Sequence, residues 1–183
     1  MNDKPLLNSA SSAVKKPPKP RDERPFDFAQ GHSKRQGDRK TVPAAVWRTA
    51  DVNINRAGEG LRLLEDLARF ILDDETLCKK LKGIRHYLAT ASAPWHNELI
   101  SSRDAAGDLG REAGFEETPK REDMVSLARA NSKRVQEALR SLEELAKLPG
   151  MDAALDWARL KEHRFTAYDI EKEIVSLLGR RAL

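Results

Sequence analysis

The sequence predicts an all-α protein: a four-helix bundle with pseudo-twofold symmetry, built from one helical hairpin used twice. Five polar residues of one helix recur 78 positions later with the same spacing: Asn53, Arg56, Glu59, Arg62 and Glu65 return as Asn131, Arg134, Glu137, Arg140 and Glu143. A second motif recurs 79 positions later, as Leu81-Lys82-x-x-Arg85 and Leu160-Lys161-x-x-Arg164. No alternating apolar run bounded by turn residues predicts a strand.

Apolar periodicity places the four helices. They are predicted to cover about Ala50–Leu72, Glu75–Ser92, Arg121–Leu148 and Met151–Leu178. At 100° per residue, the first helix has one apolar stripe, with Asp51 among the polar residues opposite. The stripe comprises Ile54, Ala57, Leu61, Leu64, Leu67, Ala68 and Ile71. Asp73-Asp74 ends this helix and caps the second one.

A long Gly/Asp loop, about Ala93–Lys120, is predicted between the two hairpins. A connection of this length in a compact domain is usually functional or disordered. Glycines in it allow backbone N–H groups to approach an anion, and Arg103 can neutralise one. Asp104 and Asp108 can hold Mg²⁺ together with phosphate oxygens, because Mg²⁺ usually takes only one or two protein carboxylates. The same residue types also make ordinary turns.

Charge separates a tail from the folded domain. Residues 1–42 carry ten Lys and Arg against five Asp and Glu, a net charge of +5, whereas residues 43–183 carry 23 against 24, a net charge of −1. The first segment has no apolar run and is predicted to be a disordered basic tail, and residues 43–183 are predicted to form the helical domain. The net charge of the domain therefore weakens a nucleic-acid-binding interpretation, which requires a basic face on the folded part.

The sequence also excludes several other classes of protein. No stretch is long and apolar enough to span a membrane, and no secretory signal is recognisable. Cys78 is the single cysteine, which excludes an internal disulfide and a cysteine-rich metal site. There is no Gly-Lys pair, so no Walker-type P-loop. We expect a cytoplasmic protein that acts on a small molecule, with no nucleic-acid or membrane partner.

The repeated polar residues are the candidates for chemistry. Asn53 and Asn131 project into the apolar stripes, where each either bonds a neighbouring helix end or points into a polar pocket at the bundle axis. Arg56 and Arg134 lie at the stripe edges. We favour phosphate or carboxylate binding for them, because a surface ion-pair ladder does not require arginine over lysine. For the last glutamate of each motif we favour a ladder of exposed i,i+3 ion pairs.

Four ordered motifs together carry a resemblance to a known family. They are Asn53-x-Asn55-Arg56-Ala57-x-Glu59-Gly60-Leu61-Arg62-x-Leu64-Glu65-Asp66, Leu81-Lys82-x-x-Arg85-His86, Ser102-Arg103-Asp104-x-x-Gly107-Asp108-x-Gly110 and Lys133-Arg134-x-Gln136-Glu137-Ala138-Leu139-Arg140. The chain resembles the monofunctional hydroxymethylpyrimidine-phosphate kinases of thiamine biosynthesis over roughly residues 47–178. These kinases occur alone or fused ahead of thiamine-phosphate synthase, and the sequence leaves both forms open.

The resemblance implies that ATP, with Mg²⁺, phosphorylates 4-amino-5-hydroxymethyl-2-methylpyrimidine phosphate to the diphosphate. The acceptor oxygen is already anionic near neutral pH, so the reaction needs charge neutralisation and alignment rather than a strong base. We predict Arg103, Asp104 and Arg134 as catalytic residues, with Asp104 and Asp108 as metal ligands. The predicted substrate-binding residues are Asn53, Asn55, Arg56, Glu59, Arg62, Asn131, Lys133, Glu137 and Arg140. The predicted phosphate loop comprises Ser102, Gly107 and Gly110.

Two other interpretations stay open at this stage. One is a different helical enzyme for an anionic metabolite, such as a mutase, which would need neither ATP nor Mg²⁺. The other is a helical interaction module that binds RNA through the tail, with an affinity that falls steeply with salt. The oligomeric state is also open, with a homodimer through spare apolar surface among the alternatives, as is a functional link to thiamine-phosphate synthase.

Overall fold

The chain folds into four long helices and one short one in a computed structural model that describes residues 42–109 and 120–181. The helices are α1 (Ala44–Asp66), α2 (Glu75–Ser92), α3 (His96–Ser101), α4 (Met124–Leu145) and α5 (Trp157–Arg181). A π-helical stretch, Leu67–Leu72, continues α1. The described residues contain no strand, which confirms the predicted all-α class. Residues 1–41 of the predicted tail lie outside the described residues.

The two hairpins pack through their first helices. α1 lies against α4, while α2 packs on α1 and α5 packs on α4, so each hairpin corresponds to one copy of the repeat. The core is aliphatic, and burial of each large side chain contributes about 1.5–3 kcal/mol. Its fully buried members include Leu61, Leu77, Leu81, Ile84, Val135, Leu139, Leu142, Leu160, Ile170 and Ile174. None of the described helices is long and apolar enough to cross a membrane.

α1 and α4 approach each other closely at Gly60. A Cβ atom added there would lie 2.7 Å from Cγ2 of Val135 and 3.1 Å from the carbonyl oxygen of Asn131. Cβ atoms essentially never come within 3.0 Å of another atom, so a larger residue at this position would force Val135 or the two helices to shift. The tight contact therefore fixes how α1 and α4 face each other, and with them the residues of the repeated motif.

An ion-pair cluster around one glutamate repeats in both hairpins, and the glutamate is buried in the second. Glu143 is 3% exposed and accepts from Arg140 at 2.6 Å and from Arg164 of α5 at 3.0 Å. In the first hairpin the equivalent glutamate is Glu65, which lies 3.7 Å from Arg62 and 3.0 Å from Arg85. The predicted i,i+3 pairs are therefore present, but the expectation of an exposed ladder is wrong for Glu143. Each cluster instead ties the two helices of its hairpin together.

Local capping sets the helix starts. The side chain of Asp74 accepts from the backbone N–H of Leu77 at 2.9 Å, and α2 has the predicted bounds. Asp123 and Ser126 form a reciprocal capping box, which starts α4 later than the predicted Arg121. At α5, the carboxylate of Asp156 accepts from two backbone N–H groups of the first turn, so this helix begins well after the predicted Met151.

Three other expectations are corrected. α1 begins directly after Pro43, earlier than the predicted Ala50. The π-helical turn shifts the register at its end, so Leu72 is buried and Ile71, predicted to be in the stripe, is 38% exposed. The predicted loop is partly helical, because Trp95 stacks on Trp47 with ring centroids 5.3 Å apart and anchors the start of α3 to α1.

Candidate functional site

A cleft between α1 and α4 brings together polar residues from both copies of the repeat. It has a volume of about 460 Å³. Its lining residues are Asn53, Arg56, Ala130, Lys133, Arg134, Glu137, Ala138 and Ser141. Five of these, all but the two alanines and the serine, are predicted substrate-binding or catalytic residues. The sequence therefore identified most of the polar lining of this cleft.

The charge of the cleft is set by its unpaired arginines. Among the described residues, no carboxylate pairs with Arg56 or Arg134, whereas Arg62 and Arg140 of the same motifs are bound to glutamates. Lys133 adds a third cation, and it lies 3.7 Å from Glu137. Three cations against one carboxylate give the cleft an excess of positive charge, which suits the binding of an anion with several oxygens. Arginine pairs with phosphate or carboxylate in a bidentate manner, which suits this purpose.

The two buried asparagines make equivalent bonds in the two hairpins. The side-chain amide of Asn53 donates to the carbonyl of Thr49 at 2.8 Å, and that of Asn131 donates to the carbonyl of Leu127 at 2.9 Å. Neither bonds a neighbouring helix end, which was one of the two interpretations. Asn131 also accepts from Arg134 at 3.4 Å. Asn53 also lies in the wall of the cleft.

A second depression, a groove of about 730 Å³, runs between α1 and α2. It is lined by Ile54, Asn55, Gly58, Glu59, Arg62, Leu63, Asp66, Arg85, Leu88, Ala89 and Ser92. Three predicted substrate-binding residues, Asn55, Glu59 and Arg62, lie here rather than in the cleft. Glu59 and Arg56 are three residues apart on α1 and are therefore neighbours on its surface. The groove and the cleft thus flank one ridge of α1.

The predicted phosphate loop packs against α1 close to the groove. Arg103 makes a bidentate ion pair with Asp51, with donor–acceptor distances of 2.7 Å and 2.8 Å. The Nε atom of Arg48 donates to the carbonyl of Ser102 at 2.8 Å, and the buried hydroxyl of Ser102 donates to the carbonyl of Leu99. These bonds fix the start of the loop on the helix that carries the cleft and the groove.

Asp51 corrects a sequence expectation. It was placed on the solvent face of α1, but it is 6% exposed because the segment after α3 covers it. Its carboxylate holds Arg103 and raises the pKa of that guanidinium above its ordinary value. Asp51 and Asn53 are two residues apart and therefore point to nearly opposite sides of α1. Arg103, predicted as catalytic, is consequently not brought together with Arg134.

The predicted metal ligands also belong to the loop. The carboxylate of Asp104 accepts from the backbone N–H of Gly107 at 2.9 Å and lies 3.6 Å from Arg48. Within residues 42–109 and 120–181 there is no group of three or more His, Cys, Asp or Glu side chains arranged to hold a metal. Asp104 in this conformation closes a turn, the ordinary role that its residue type also allowed. Gly110 lies outside the described residues.

The remaining predicted residues fall in separate places. Arg140 pairs with Glu143 and Glu144 on α4, so the four arginines of the repeated motif, predicted as substrate-binding or catalytic residues, do not form one cluster. Sequence reasoning missed Arg48 and Asp51, whose partners lie more than 50 positions away in the chain. It also missed the part of Arg85 in the groove, although the repeated Leu-Lys-x-x-Arg motif was a signal for it.

Comparison with known proteins places the chain among relatives. The thiamine-phosphate synthase of Rhodopirellula baltica is 42% identical over 130 residues, covering 70% of this chain and 34% of that protein. The thiamine-phosphate synthase of Synechocystis sp. is 39% identical over 142 residues, covering 76% of this chain and 38% of that protein. The chain thus spans little more than a third of the length of these relatives. No solved structure was found to match it.

A match to a protein family shows where the chain belongs. The model of the ThiD2 family matches residues 48–173, from the second turn of α1 to the last third of α5. This range includes both copies of the repeat, the cleft, the groove and the Ser102–Asp104 loop. The chain belongs to the ThiD2 family.

Proposed function

We propose that this chain acts in thiamine biosynthesis and phosphorylates hydroxymethylpyrimidine phosphate to the diphosphate with ATP. Membership of the ThiD2 family and relatives named thiamine-phosphate synthase support the pathway. The observation that carries the reaction type is the cationic cleft, where Arg56 and Arg134 pair with no carboxylate among the described residues. A phosphate acceptor and a triphosphate donor are both anionic, and such a cleft lowers the cost of bringing them together.

In this mechanism the cleft binds and orients phosphate groups. Arg56 and Arg134 approach from different helices and hold the acceptor phosphate from two sides, with Lys133 as a further cation. The acceptor oxygen is anionic near neutral pH, so no residue has to remove a proton from it. Neutralisation by the three cations reduces repulsion between acceptor and donor, and the rigid contact at Gly60 keeps α1 and α4 at a fixed separation.

Mg²⁺ enters the proposal as part of the MgATP substrate. Asp104 and Asp108 are oxygen donors of the kind that Mg²⁺ prefers. They lie on the loop held by Asp51, however, on the side of α1 away from the cleft, and Asp104 already closes the loop's own turn. The residues do not fit a metal site for phosphates in the cleft, so no step is assigned to them. Arg103 is a positioning residue for the loop.

A kinase assay on the full chain tests the proposal. Diphosphate formation from ATP, Mg²⁺ and hydroxymethylpyrimidine phosphate is expected, with the unphosphorylated alcohol as a poor substrate, because desolvated arginines would be left unpaired. Arg56→Ala and Arg134→Ala should each lower kcat/KM by at least tenfold. Arg159→Ala removes an exposed arginine of α5 and is the matched control, expected to keep wild-type turnover. Folded Arg56→Ala and Arg134→Ala variants with wild-type turnover would refute the assignment.

The name of the relatives, thiamine-phosphate synthase, supports a second candidate, thiamine phosphate synthesis itself. The chain covers only about a third of each of those proteins, so their named activity can reside in the part without a counterpart here. Measuring thiamine phosphate in samples that also contain hydroxymethylpyrimidine diphosphate and a thiazole phosphate separates the two, because thiamine phosphate joins both rings. Its formation by this chain alone would favour the second candidate over the kinase.

A further inference from the structure

The two hairpins differ at the place where each could bind a ligand. Gly58 in the groove of the first hairpin corresponds to Gln136 in the second, 78 positions on, and Ser92 corresponds to Glu171, 79 positions on. In the second hairpin the amide of Gln136 donates to the carboxylate of Glu171 at 2.5 Å, joining α4 to α5. In the first hairpin glycine and serine leave this space open, and a Cβ atom added at Gly58 would meet nothing within 4 Å.

A second difference concerns charge. Lys133 of the second hairpin lies 3.7 Å from Glu137, but the residue equivalent to Lys133 in the first hairpin is Asn55. Glu59, the counterpart of Glu137, pairs with no cation among the described residues. Its exposed carboxylate is therefore a hydrogen-bond acceptor in the groove, and the side-chain amide of Asn55 beside it can both donate and accept. The second hairpin uses its equivalent groups for contacts within the helix.

A third difference is at Ala89, which corresponds to Tyr168. The hydroxyl of Tyr168 accepts from Arg164 at 3.1 Å, so the second hairpin places a ring where the first has a methyl group. The first and third differences have the same direction. The second hairpin fills its groove with its own side chains, and the first keeps a space of about 730 Å³, within the range of small-molecule sites.

We propose that the open groove between α1 and α2 binds an aminopyrimidine ring, whose phosphate end reaches the α1–α4 cleft. The ligand class follows from the lining. Ile54, Leu63 and Leu88 provide apolar contact for the faces of a flat ring, while Glu59 and Asn55 can accept from its amino group and bond its ring nitrogens. Because Glu59 and Arg56 are neighbours on α1, a ring in the groove lies beside the cationic cleft.

The proposal rests on the proposed kinase function for its choice of ligand. An aminopyrimidine edge is shared by the acceptor, hydroxymethylpyrimidine phosphate, and by the adenine of ATP. Both are therefore offered as probes, together with pyrophosphate, which has charge but no ring. Binding of each to the full chain is measured by calorimetry.

The test introduces the side chains that fill the groove of the second hairpin at the equivalent positions of the first hairpin. The double variant Gly58→Gln and Ser92→Glu should weaken binding of a ring-bearing probe at least tenfold while pyrophosphate binds as before. Gly58→Leu, which adds no charge, should act in the same direction. The matched control is Gln136→Ala with Glu171→Ala in the second hairpin, expected to bind every probe as the wild type does. Helical signal and melting temperature show that each variant is folded.

Each outcome decides the matter. Weaker binding of one ring-bearing probe supports the groove and identifies which substrate occupies it, and weaker binding of both shows that either ring is accepted. Unchanged binding of both rings to the folded, filled variants overturns the proposal. Kinase turnover that is unchanged in the filled variants would refute ring binding in the groove and leave the proposed kinase function standing. Ring binding that is lost in the filled variants, in a protein without kinase turnover, would support the groove as a binding site and refute the proposed kinase function.

Discussion

Glu143→Gln tests whether the repeated ion-pair cluster contributes to stability. The substitution keeps the shape of the side chain and removes its charge, leaving Arg140 and Arg164 without their shared partner. Glu143 is 3% exposed and Arg164 has a side chain that is 12% exposed. Breaking a buried pair by neutralising one partner costs about 3–5 kcal/mol. The variant should therefore lose about that much free energy of unfolding.

Glu65→Gln is the matched control in the first hairpin. Its side chain is 14% exposed, it has one close partner in Arg85, and Arg62 lies 3.7 Å away with a side chain that is 57% exposed. One charged hydrogen bond and one solvated pair amount to about 1–2 kcal/mol. At roughly 2–4 °C per kcal/mol for a chain of this size, the two melting temperatures should differ visibly.

Thermal unfolding followed by circular dichroism, with urea titration as a second method, measures both losses. A Glu143→Gln loss below about 1 kcal/mol, or one no larger than that of Glu65→Gln, would refute the reasoning from burial. The double variant Glu143→Met with Arg164→Met adds a further check. It should be more stable than Glu143→Gln, since it leaves no buried charge, and Arg140 keeps Glu144 at 2.7 Å.

Three further predictions follow from the described contacts. Gly58→Ala should raise the free energy of unfolding by about 1 kcal/mol in chemical denaturation, whereas Gly60→Ala should lower it by about 1–3 kcal/mol because its Cβ would meet α4. Asp51→Asn should release Arg103 and speed amide hydrogen exchange at Ser102–Asp104, without the same change in α5. Burial holds the pKa of His163 below its ordinary 6.5, so the unfolded chain binds its proton first. Stability should therefore fall as pH drops below about 6.5, with a smaller fall in His163→Gln.

Local signals explain which parts of the fold were predictable from the sequence. The bounds of α2 followed from an acidic cap and an apolar stripe, both read within a few residues. The start of α5 did not, because the segment after Gly150 is apolar enough to resemble a helix, yet it packs as turns with Met151 and Leu155 buried. Gly150 itself has a φ of 93°, which only glycine adopts easily and which ends the preceding helical path.

The candidate site was predictable in its members but not in their arrangement. Arg56 and Arg62 carry the same charge in one motif. The i,i+3 spacing predicted that Glu65 pairs with Arg62, but it could not show that no carboxylate among the described residues pairs with Arg56. That outcome depends on Arg85 of another helix, which completes the glutamate's other contact. The burial of Asp51 depends in the same way on Arg103, which lies 52 positions further along the chain.

The comparison of the two hairpins separates residues that hold the fold from residues that are free to serve a ligand. A contact needed for a hairpin to pack has to be present in both copies, as the glutamate–arginine pairs between the two helices are. A ligand needs one groove only, so the second copy can fill its own and gain helix–helix contacts. Replacing a groove glycine by a larger residue stabilises the helix wherever no ligand has to enter the groove, since glycine in a helix costs about 1 kcal/mol relative to alanine. The glycine at position 58, exposed to open space in mid-helix, is a cost that packing does not explain and that an incoming ligand does.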